Sequence, residues 1–344
     1  MIVDLRSDTL TKPSQAMRAA MAAAEVGDDV YGEDPTVRRL EGRAAELLGK
    51  PWALYVPSGT MANQIALLAH CRPGDEVIIG EGNHCAFYEG GAGAAWAGVQ
   101  FAQAGHGGLF SADEMEAACR PGEHYLPRTS LVALENTHNR AGGRVFPQAD
   151  VLRIAERAHR RGLRVHLDGA RIWNAAVVTG QPPSALAEPV DTVSACFSKG
   201  LGAPVGSVIA GSREFVTRAR RLRHMLGGGM RQAGVLCAAA LFALDHNLER
   251  LAEDHRLARR LAAGLARIEG VRCDISGVET NIVNFDVPGD AARFAAQAAS
   301  RGVRLHAVAK HRLRAVTHRE LSERDIERAV SVLVEVGQPD PLDR

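Results

Sequence analysis

The apolar residues in the first two thirds of the chain occur in short runs separated by longer segments of mixed polarity. Seven such runs predict β-strands, over residues 53–56, 76–79, 99–102, 130–134, 164–167, 192–197 and 207–210. Most of the intervening segments are typical of helices. The alternation predicts βαβ units and a mostly parallel seven-stranded sheet, whose ligand site lies beyond the carboxyl ends of the strands.

Helices are predicted on both sides of this region. Two precede it, over residues 14–25 and 34–48, with Ser14 and Asp34 as caps and Pro35 in the first helical position. Beyond residue 231 the pattern predicts helices 232–246 and 248–268, strand 281–287, helix 290–300, strands 303–307 and 313–317, and helix 322–336. This last part predicts a compact α+β unit.

The chain length fits this division. At roughly 150 residues per domain, 344 residues favour one large domain with a smaller companion. We predict an N-terminal segment, 1–44, that packs with the small domain, a large domain over 45–247 and a small C-terminal domain over 248–344.

Composition excludes several classes of function. With 41 basic and 40 acidic residues the net charge is +1, which disfavours nucleic acid as a partner. The six cysteines form no C-x-x-C pair, and the histidines show no metal-ligand spacing, so neither a metal site nor a disulfide framework is predicted. Charged residues interrupt the N-terminus, and the longest low-charge run, 233–244, is too short to cross a membrane. These features predict a cytoplasmic protein with no membrane partner.

The first candidate for chemistry is the turn that follows the strand ending at Val56. Ser58, Gly59 and Thr60 stand there, immediately before an apolar helix. A glycine lets the backbone approach a ligand, and the free N–H groups of a helix start, with hydroxyls beside them, suit a phosphate. The same composition is also common in plain helix caps.

The second candidate is an aspartate and a lysine at the ends of two other strands. Asp168 ends the strand that starts at residue 164, and Lys199 follows the strand that ends at residue 197. An aspartate there often only caps a turn, but a lysine desolvated beside a cofactor suits Schiff-base chemistry. Together with the phosphate cradle, the two residues satisfy the needs of pyridoxal phosphate. Lys199 would bind it covalently, and Asp168 would keep its pyridine nitrogen protonated.

Eight motifs recur in order along the chain. They are LRSDT at 5–9, DDVYG at 28–32, SGT at 58–60, NTH at 136–138, HLDGAR at 166–171, SKG at 198–200, GGGMRQ at 227–232 and VTH at 316–318. In this combination the chain resembles the L-threonine aldolases, which are fold-type I pyridoxal phosphate enzymes of the β-eliminating lyase group. The resemblance implies the fold-type I fold. It also implies reversible cleavage of threonine or allo-threonine into glycine and an aldehyde.

The resemblance further implies roles for individual residues. Ser7, Arg171 and Arg314 would hold the substrate carboxylate, and Arg171 would also contact the cofactor. His84 would lie against the cofactor ring and His124 near the substrate side chain. Either histidine, or a water molecule, would take the proton of the β-hydroxyl group, and the sequence leaves this choice open.

A shared active site is also implied. Arg231 would approach the phosphate from a neighbouring subunit, and Tyr31 would lie near the same interface and contact the substrate. We therefore expect a homo-oligomer, as a dimer of dimers. The family often has a lysine before the glycine run, where this chain has His224, and no role is assigned to that position.

Three alternatives stay open at this stage. One is another fold-type I reaction, such as transamination or β-elimination, with Lys199 removing the α-proton. A second is a preference for phenylserine-type substrates. The third is a non-enzymatic cofactor-binding protein, which would need no carboxylate clamp.

Overall fold

A computed structural model describes residues 2–337. The strands are β1 Val3–Asp4, β2 Trp52–Val56, β3 Glu76–Gly80, β4 Gln100–Ala104, β5 Thr129–Glu135, β6 Arg164–Gly169, β7 Thr192–Cys196, β8 Ser207–Gly211, β9 Ile282–Asp286, β10 Val303–Arg304, β11 His306–Ala307 and β12 Arg312–Val316. The helices are α1 Gln15–Ala22, α2 Pro35–Leu47, α3 Gly59–His70, α4 His84–Phe87, α5 Ala112–Ala118, α6 Gln148–Arg160, α7 Ile172–Thr179, α8 Pro183–Ala187, α9 Arg213–Met225, α10 Gly234–His246, α11 Leu251–Leu265, α12 Ala291–Ser300 and α13 Glu323–Gly337.

The central sheet has seven strands in the order β2-β8-β7-β6-β5-β3-β4. β8 runs antiparallel to both of its neighbours, and the other pairs are parallel. The predicted mostly parallel seven-stranded sheet is therefore confirmed. Strands β3 and β8 are buried along their whole length, which explains why their sequences, EVIIG and SVIAG, are mostly apolar.

Strand register brings polar residues together at one edge of this sheet. Asp168, near the end of β6, is in register with Glu135 of β5 on one side and with Ser194 of β7 on the other. Because β5, β6 and β7 are parallel, their carboxyl ends meet at the same edge. Loops that leave these three strands therefore converge at one place.

The C-terminal unit contains a three-stranded antiparallel sheet in the order β11-β12-β9. β10 instead pairs in parallel with β1, so the N-terminus joins this unit. The single strand predicted over 303–307 is wrong, because the chain changes partner at Leu305. That residue is buried between the two short strands.

The N-terminal segment contributes to two hydrophobic cores. Val3 and Leu5 pack with the C-terminal unit, whereas Met17 and Leu40 belong to the core around the central sheet. The predicted packing of segment 1–44 with the small domain is therefore wrong for α1 and α2, whose apolar faces cover α10. The domain boundaries at residues 45 and 248 stay predictions.

Candidate active site

Lys199 lies just beyond β7, half-buried, with its amine beside a thiol. Its Nζ is 3.1 Å from Cys196 Sγ, and the hydroxyl of Ser207 contacts the same sulfur at 3.1 Å. Thr11 donates a hydrogen bond from its hydroxyl to the backbone oxygen of Lys199 at 3.3 Å. The N-terminal segment is thereby attached to the loop that carries the lysine.

Asp168 is buried on the adjacent strand. Its Oδ1 accepts a bond from the backbone N–H of Ala170 at 3.0 Å, and its Oδ2 accepts one from Asn63 Nδ2 at 2.7 Å. Burial alone would raise the pKa of Asp168. The nearby His84 and Lys199 charges, with the Asn63 bond, outweigh burial and hold the pKa below its usual range. The structure thus brings an ionised carboxylate and the lysine to the same sheet edge.

The first turn of α3 lies next to this pair. Ser58 caps the helix by accepting a bond from the backbone N–H of Met61 at 3.1 Å. A Cβ atom built on Gly59 would lie 2.7 Å from Cys196 Sγ and 3.9 Å from Lys199 Nζ. Only glycine allows so close an approach, and the exposed amides of a helix start bind anions. The predicted cradle of residues 58–60 is therefore adjacent to the lysine.

Arg171 is buried and forms a two-pronged ion pair with Asp8. Its Nε donates to Oδ2 at 2.8 Å and its Nη2 to Oδ1 at 2.7 Å, while Asn281 adds a third bond to the carboxylate at 3.1 Å. Although burial opposes ionisation, the Arg171 guanidinium lowers the pKa of Asp8 to about 2. The fork expected to hold the substrate is thus bound to an internal carboxylate. Two of its five N–H groups are bonded to Asp8 in this way, and Nη1 lies 3.5 Å from Asn139 Oδ1.

Arg314, on β12, has unused donors beside Arg171. Its Nη1 donates to Asn139 Oδ1 at 3.0 Å, and its Nη2 points to the backbone oxygen of Arg6 at 3.5 Å, which places Ser7 nearby. Its Nε is buried without a hydrogen-bond partner in the described part of the chain. Burial and the nearby charge of Arg171 lower the pKa of Arg314. A carboxylate bound beside the guanidinium would offset this, because its negative charge favours the protonated form.

His84 begins α4 and faces Asp168. Its backbone N–H donates to Glu135 Oε2 at 2.8 Å, and its Nδ1 is 2.8 Å from Glu89 Oε1. Burial alone would lower the pKa of His84, but the bond to Glu89 and the nearby carboxylates raise it above the ordinary value. The ligand atoms of His84, Glu89 and Asp168 lie within 4.8 Å of one another. The structure therefore brings His84 to the predicted site.

His124 is placed elsewhere. It is exposed in the loop before Thr129, the first residue of β5, and its ring contacts only that of Tyr125 among the aromatic pairs in residues 2–337. This loop is at the amino end of the sheet, whereas Lys199 is at the carboxyl end. The expectation that His124 lies near the substrate is therefore wrong within one chain. The position of His124 along the chain does not show at which end of the sheet its loop lies.

Tyr31 and Arg231 are neighbours on the surface. The Tyr31 side chain is 76% exposed, and the Arg231 guanidinium, also exposed, lies 3.4 Å from Asp28 Oδ2. The backbone N–H of Asp29 donates to the Arg231 oxygen at 3.0 Å. Within residues 2–337 neither side chain forms a hydrogen bond to Lys199 or Asp168.

Comparison with known proteins assigns the chain to a family. A family model described as beta-eliminating lyase matches residues 4–288. Low-specificity L-threonine aldolase 1 of Arabidopsis thaliana is 44% identical over 339 residues, which cover 96% of this chain and 94% of that protein. Low specificity L-threonine aldolase of Escherichia coli strain K12 is 42% identical over 328 residues, covering 94% and 96%. This chain belongs to the L-threonine aldolase family.

A solved threonine aldolase has the same fold. The Leishmania major enzyme superposes with a TM-score of 0.84, at 22% sequence identity, and the match covers 98% of this chain and 100% of that one. The predicted fold-type I architecture is confirmed.

The site residues fit the cofactor of this fold class, pyridoxal phosphate. Lys199 offers an amine for the aldehyde, and Asp168 offers an ionised carboxylate for a ring nitrogen. The first turn of α3 offers amides beside Gly59, where a side chain would fill the space. The donor set therefore matches each of the three groups that pyridoxal phosphate presents.

Several residues of this threonine aldolase site were not singled out from the sequence. Asp8 and Asn139 directly follow Ser7 and the NTH motif, and adjacency was the available signal. Cys196 lies three positions before Lys199. Glu89 lies in no motif, so its burial against His84 shows only in the structure.

Proposed function

We propose that this protein is a pyridoxal phosphate-dependent lyase that cleaves β-hydroxy-α-amino acids, with L-threonine and L-allo-threonine as substrates, to glycine and an aldehyde. The observation that carries the proposal is the meeting of Lys199, Asp168 and the first turn of α3 at one sheet edge. The relatives described as low-specificity L-threonine aldolases support the substrate class.

Each cofactor contact has a residue suited to it. Lys199 would be the point of covalent attachment, and Ser58, Gly59 and Thr60 would hold the phosphate. The carboxylate of Asp168, ionised because its pKa is depressed, would keep the ring nitrogen protonated. When bound, pyridoxal phosphate supplies an electron sink for the electron pair of the breaking Cα–Cβ bond.

The substrate is oriented through its α-carboxylate. Arg314 would bind this group with its Nε, which has no hydrogen-bond partner in the part of the chain that the structure describes, and Ser7 lies beside the same guanidinium. Arg171, neutralised by Asp8, supports the position of Arg314 through Asn139. Fixing the carboxylate restricts rotation about the substrate's Cα, which would hold the Cα–Cβ bond in the orientation that its cleavage requires.

The reaction also moves two protons. One leaves the β-hydroxyl group as the Cα–Cβ bond breaks and the aldehyde forms, and one is added at Cα to give glycine. His84 is the imidazole that the chain itself places at the site, and a water molecule is the other acceptor within one subunit.

We further propose that the protein acts as a homo-oligomer, a dimer of dimers with shared active sites. The exposed pair of Tyr31 and Arg231 supports this, because both residues match family positions at a subunit interface. Within residues 2–337 no helix has the length and apolar character needed to span a bilayer. Cytoplasmic location stays a prediction.

The proposal is tested with purified protein and pyridoxal phosphate. We expect a visible absorption band from the bound cofactor and the release of glycine and acetaldehyde from L-threonine and L-allo-threonine, with no release from the D forms. Lys199→Ala is expected to abolish both the band and the release. A band without aldehyde would contradict the proposed reaction.

The rival reactions leave different products. Transamination and β-elimination yield keto acids, so a keto acid from either threonine isomer would favour another fold-type I activity. Faster benzaldehyde release from phenylserine than acetaldehyde release from threonine would favour an aldolase for bulky aryl substrates.

A further inference from the structure

Glu89 is a fully buried carboxylate that the proposed reaction does not yet use. Its side chain has 0% exposure. Asn63 Nδ2 and His84 Nδ1 both approach its Oε1 at 2.8 Å, and Gln64 Nε2 donates to Oε2 at 2.6 Å. No lysine or arginine within residues 2–337 forms an ion pair with it. His84 is therefore its titratable partner.

The contacts of Glu89 indicate where the hydrogen shared with His84 lies. Asn63 and Gln64 each donate an N–H to a different oxygen of the carboxylate, so among the contacting groups in the described part of the chain only His84 Nδ1 could accept a carboxyl proton. An imidazole nitrogen is ordinarily more basic than a carboxylate, so the shared hydrogen lies on the ring and Glu89 is the acceptor. The orientation of Asn63 is itself fixed, because its Oδ1 accepts a bond from the Ser194 hydroxyl at 3.1 Å. An ionised carboxylate only accepts hydrogen bonds. The Nδ1 atom of His84 must then carry a hydrogen.

This bond determines which ring nitrogen of His84 is free. With Nδ1–H donated to Glu89, the lone pair of the neutral ring is on Nε2. In the described part of the chain Nε2 has no hydrogen-bond partner. The other charged groups that face the ring are Asp168 from β6 and Glu135 from β5, and the phenol ring of Tyr88 lies 5.5 Å away. Of these groups only Glu89 bonds to a ring nitrogen.

The same carboxylate is linked to the cofactor side of the site. Asn63 Nδ2 donates to Asp168 Oδ2 at 2.7 Å as well as to Glu89, so one amide bridges the two buried carboxylates. The Asn63 amide thus donates to both carboxylates and lies between their negative charges. Asp168 faces the cofactor, and Glu89 faces the imidazole.

We propose that Glu89 is a positioning residue that holds His84 as its Nδ1–H tautomer and makes Nε2 the acceptor of the β-hydroxyl proton. The inference rests on the proposed function, since it assigns the proton acceptor of that same site. The arrangement has the logic of a carboxylate that orients a histidine base, with Glu89 acting through the ring and touching neither substrate nor cofactor.

The first test measures the imidazole and needs no turnover. The pKa of His84 is obtained from deuterium exchange at its Cε1–H, read by peptide mass spectrometry, in the full-length protein with and without pyridoxal phosphate. Glu89→Gln keeps the shape of the side chain and removes the charge, so we expect the His84 pKa to fall by about one unit. Glu135→Gln is the matched control, because it removes a buried charge that accepts hydrogen bonds from the backbone N–H groups of His84 and Asn139 and none from the His84 ring. An unchanged pKa in Glu89→Gln, or an equal fall in both variants, would overturn the proposal.

The second test uses the pH dependence of threonine cleavage. A base must be unprotonated, so the acid limb of kcat follows the His84 pKa, and Glu89→Gln should move that limb about one unit to lower pH with a lower plateau. Glu89→Asp keeps the charge and should retain the wild-type limb. A lower plateau with no movement of the limb would mean a merely structural role and would contradict the proposal. Because exchange at His84 is measured without substrate, an inactive wild-type protein would count against the proposed function and leave the Glu89 result readable.

Discussion

Arg171 and Asp8 form a buried ion pair in which two guanidinium nitrogens meet two carboxylate oxygens at 2.7 and 2.8 Å. The pair joins the loop that follows β6 to the N-terminal segment around Asp8. The same segment contacts the Lys199 loop through Thr11. Arg314, whose buried Nε has no hydrogen-bond partner among residues 2–337, is therefore the guanidinium that we propose for the substrate carboxylate. The ion pair is thus a structural support for the site, and two predictions follow from this division of roles.

The first prediction concerns stability at low pH. The pKa of Asp8 is about 2 in the fold and 3.8 as its ordinary value, so the folded state binds the proton less readily than the unfolded chain. Ionised Asp8 therefore contributes its full stabilisation to the folded state above about pH 4. This contribution to the free energy of unfolding, about 2 kcal/mol, is lost as the pH falls from about 4 to about 2. Urea unfolding of the wild type and Asp8→Asn across this range should show their difference shrinking. The exposed Asp245→Asn variant is the control, and a difference that does not change with pH would contradict the assignment.

The second prediction separates the two arginines of β12. Arg314→Lys loses the fork geometry and should raise KM for L-threonine by about 10- to 100-fold, with a smaller change in kcat. Arg312→Lys, two residues earlier on the same strand, should leave KM close to wild type, because Arg312 is exposed and pairs with Asp286. Steady-state kinetics of the two variants checks this. Equal KM values would mean that Arg314 does not hold the carboxylate.

The third prediction concerns the backbone beside the lysine. In Gly59→Ala the new methyl group would lie 2.7 Å from Cys196 Sγ, so the first turn of α3 must move. Overpacking of this kind costs about 1–3 kcal/mol, which corresponds to about a 5- to 150-fold weaker affinity for pyridoxal phosphate. Gly42→Ala is the matched control, since no described residue outside its own stretch of α2 lies within 4 Å of the added carbon. Titration with pyridoxal phosphate should distinguish the two, and equal affinities would argue against the cradle.

The central sheet could be predicted because strands such as β3 and β8 are buried along their whole length and are therefore mostly apolar segments between helices. The same rule placed Asp168 and Lys199 at one edge, since parallel strands end together. The prediction failed where tertiary pairing overrides the local pattern. Residues 303–307 alternate between apolar and polar side chains as one strand would, yet β10 pairs with β1 and β11 with β12, so the strand is interrupted at Leu305.

The site was only partly predictable because ion pairs and hydrogen bonds between distant segments leave no periodic signal. The partner of Arg171 is Asp8, 163 positions away in the chain. Glu89 lies five positions from His84, but a buried acid and a surface acid look the same in a sequence. His124 matches a family position along the chain and still lies at the end of the sheet opposite Lys199. A match in sequence order shows neither how deeply a side chain is buried nor at which end of the sheet its loop lies.

The most direct measurement of the central claim is the site of covalent attachment of pyridoxal phosphate. The chain has four lysines, Lys12, Lys50, Lys199 and Lys310, so borohydride reduction of the loaded protein followed by peptide mass spectrometry gives an unambiguous answer. The account predicts the pyridoxyl label on Lys199 alone, with the other three lysines unmodified. A label on any other lysine, or no label on protein that had been saturated with the cofactor, would contradict it.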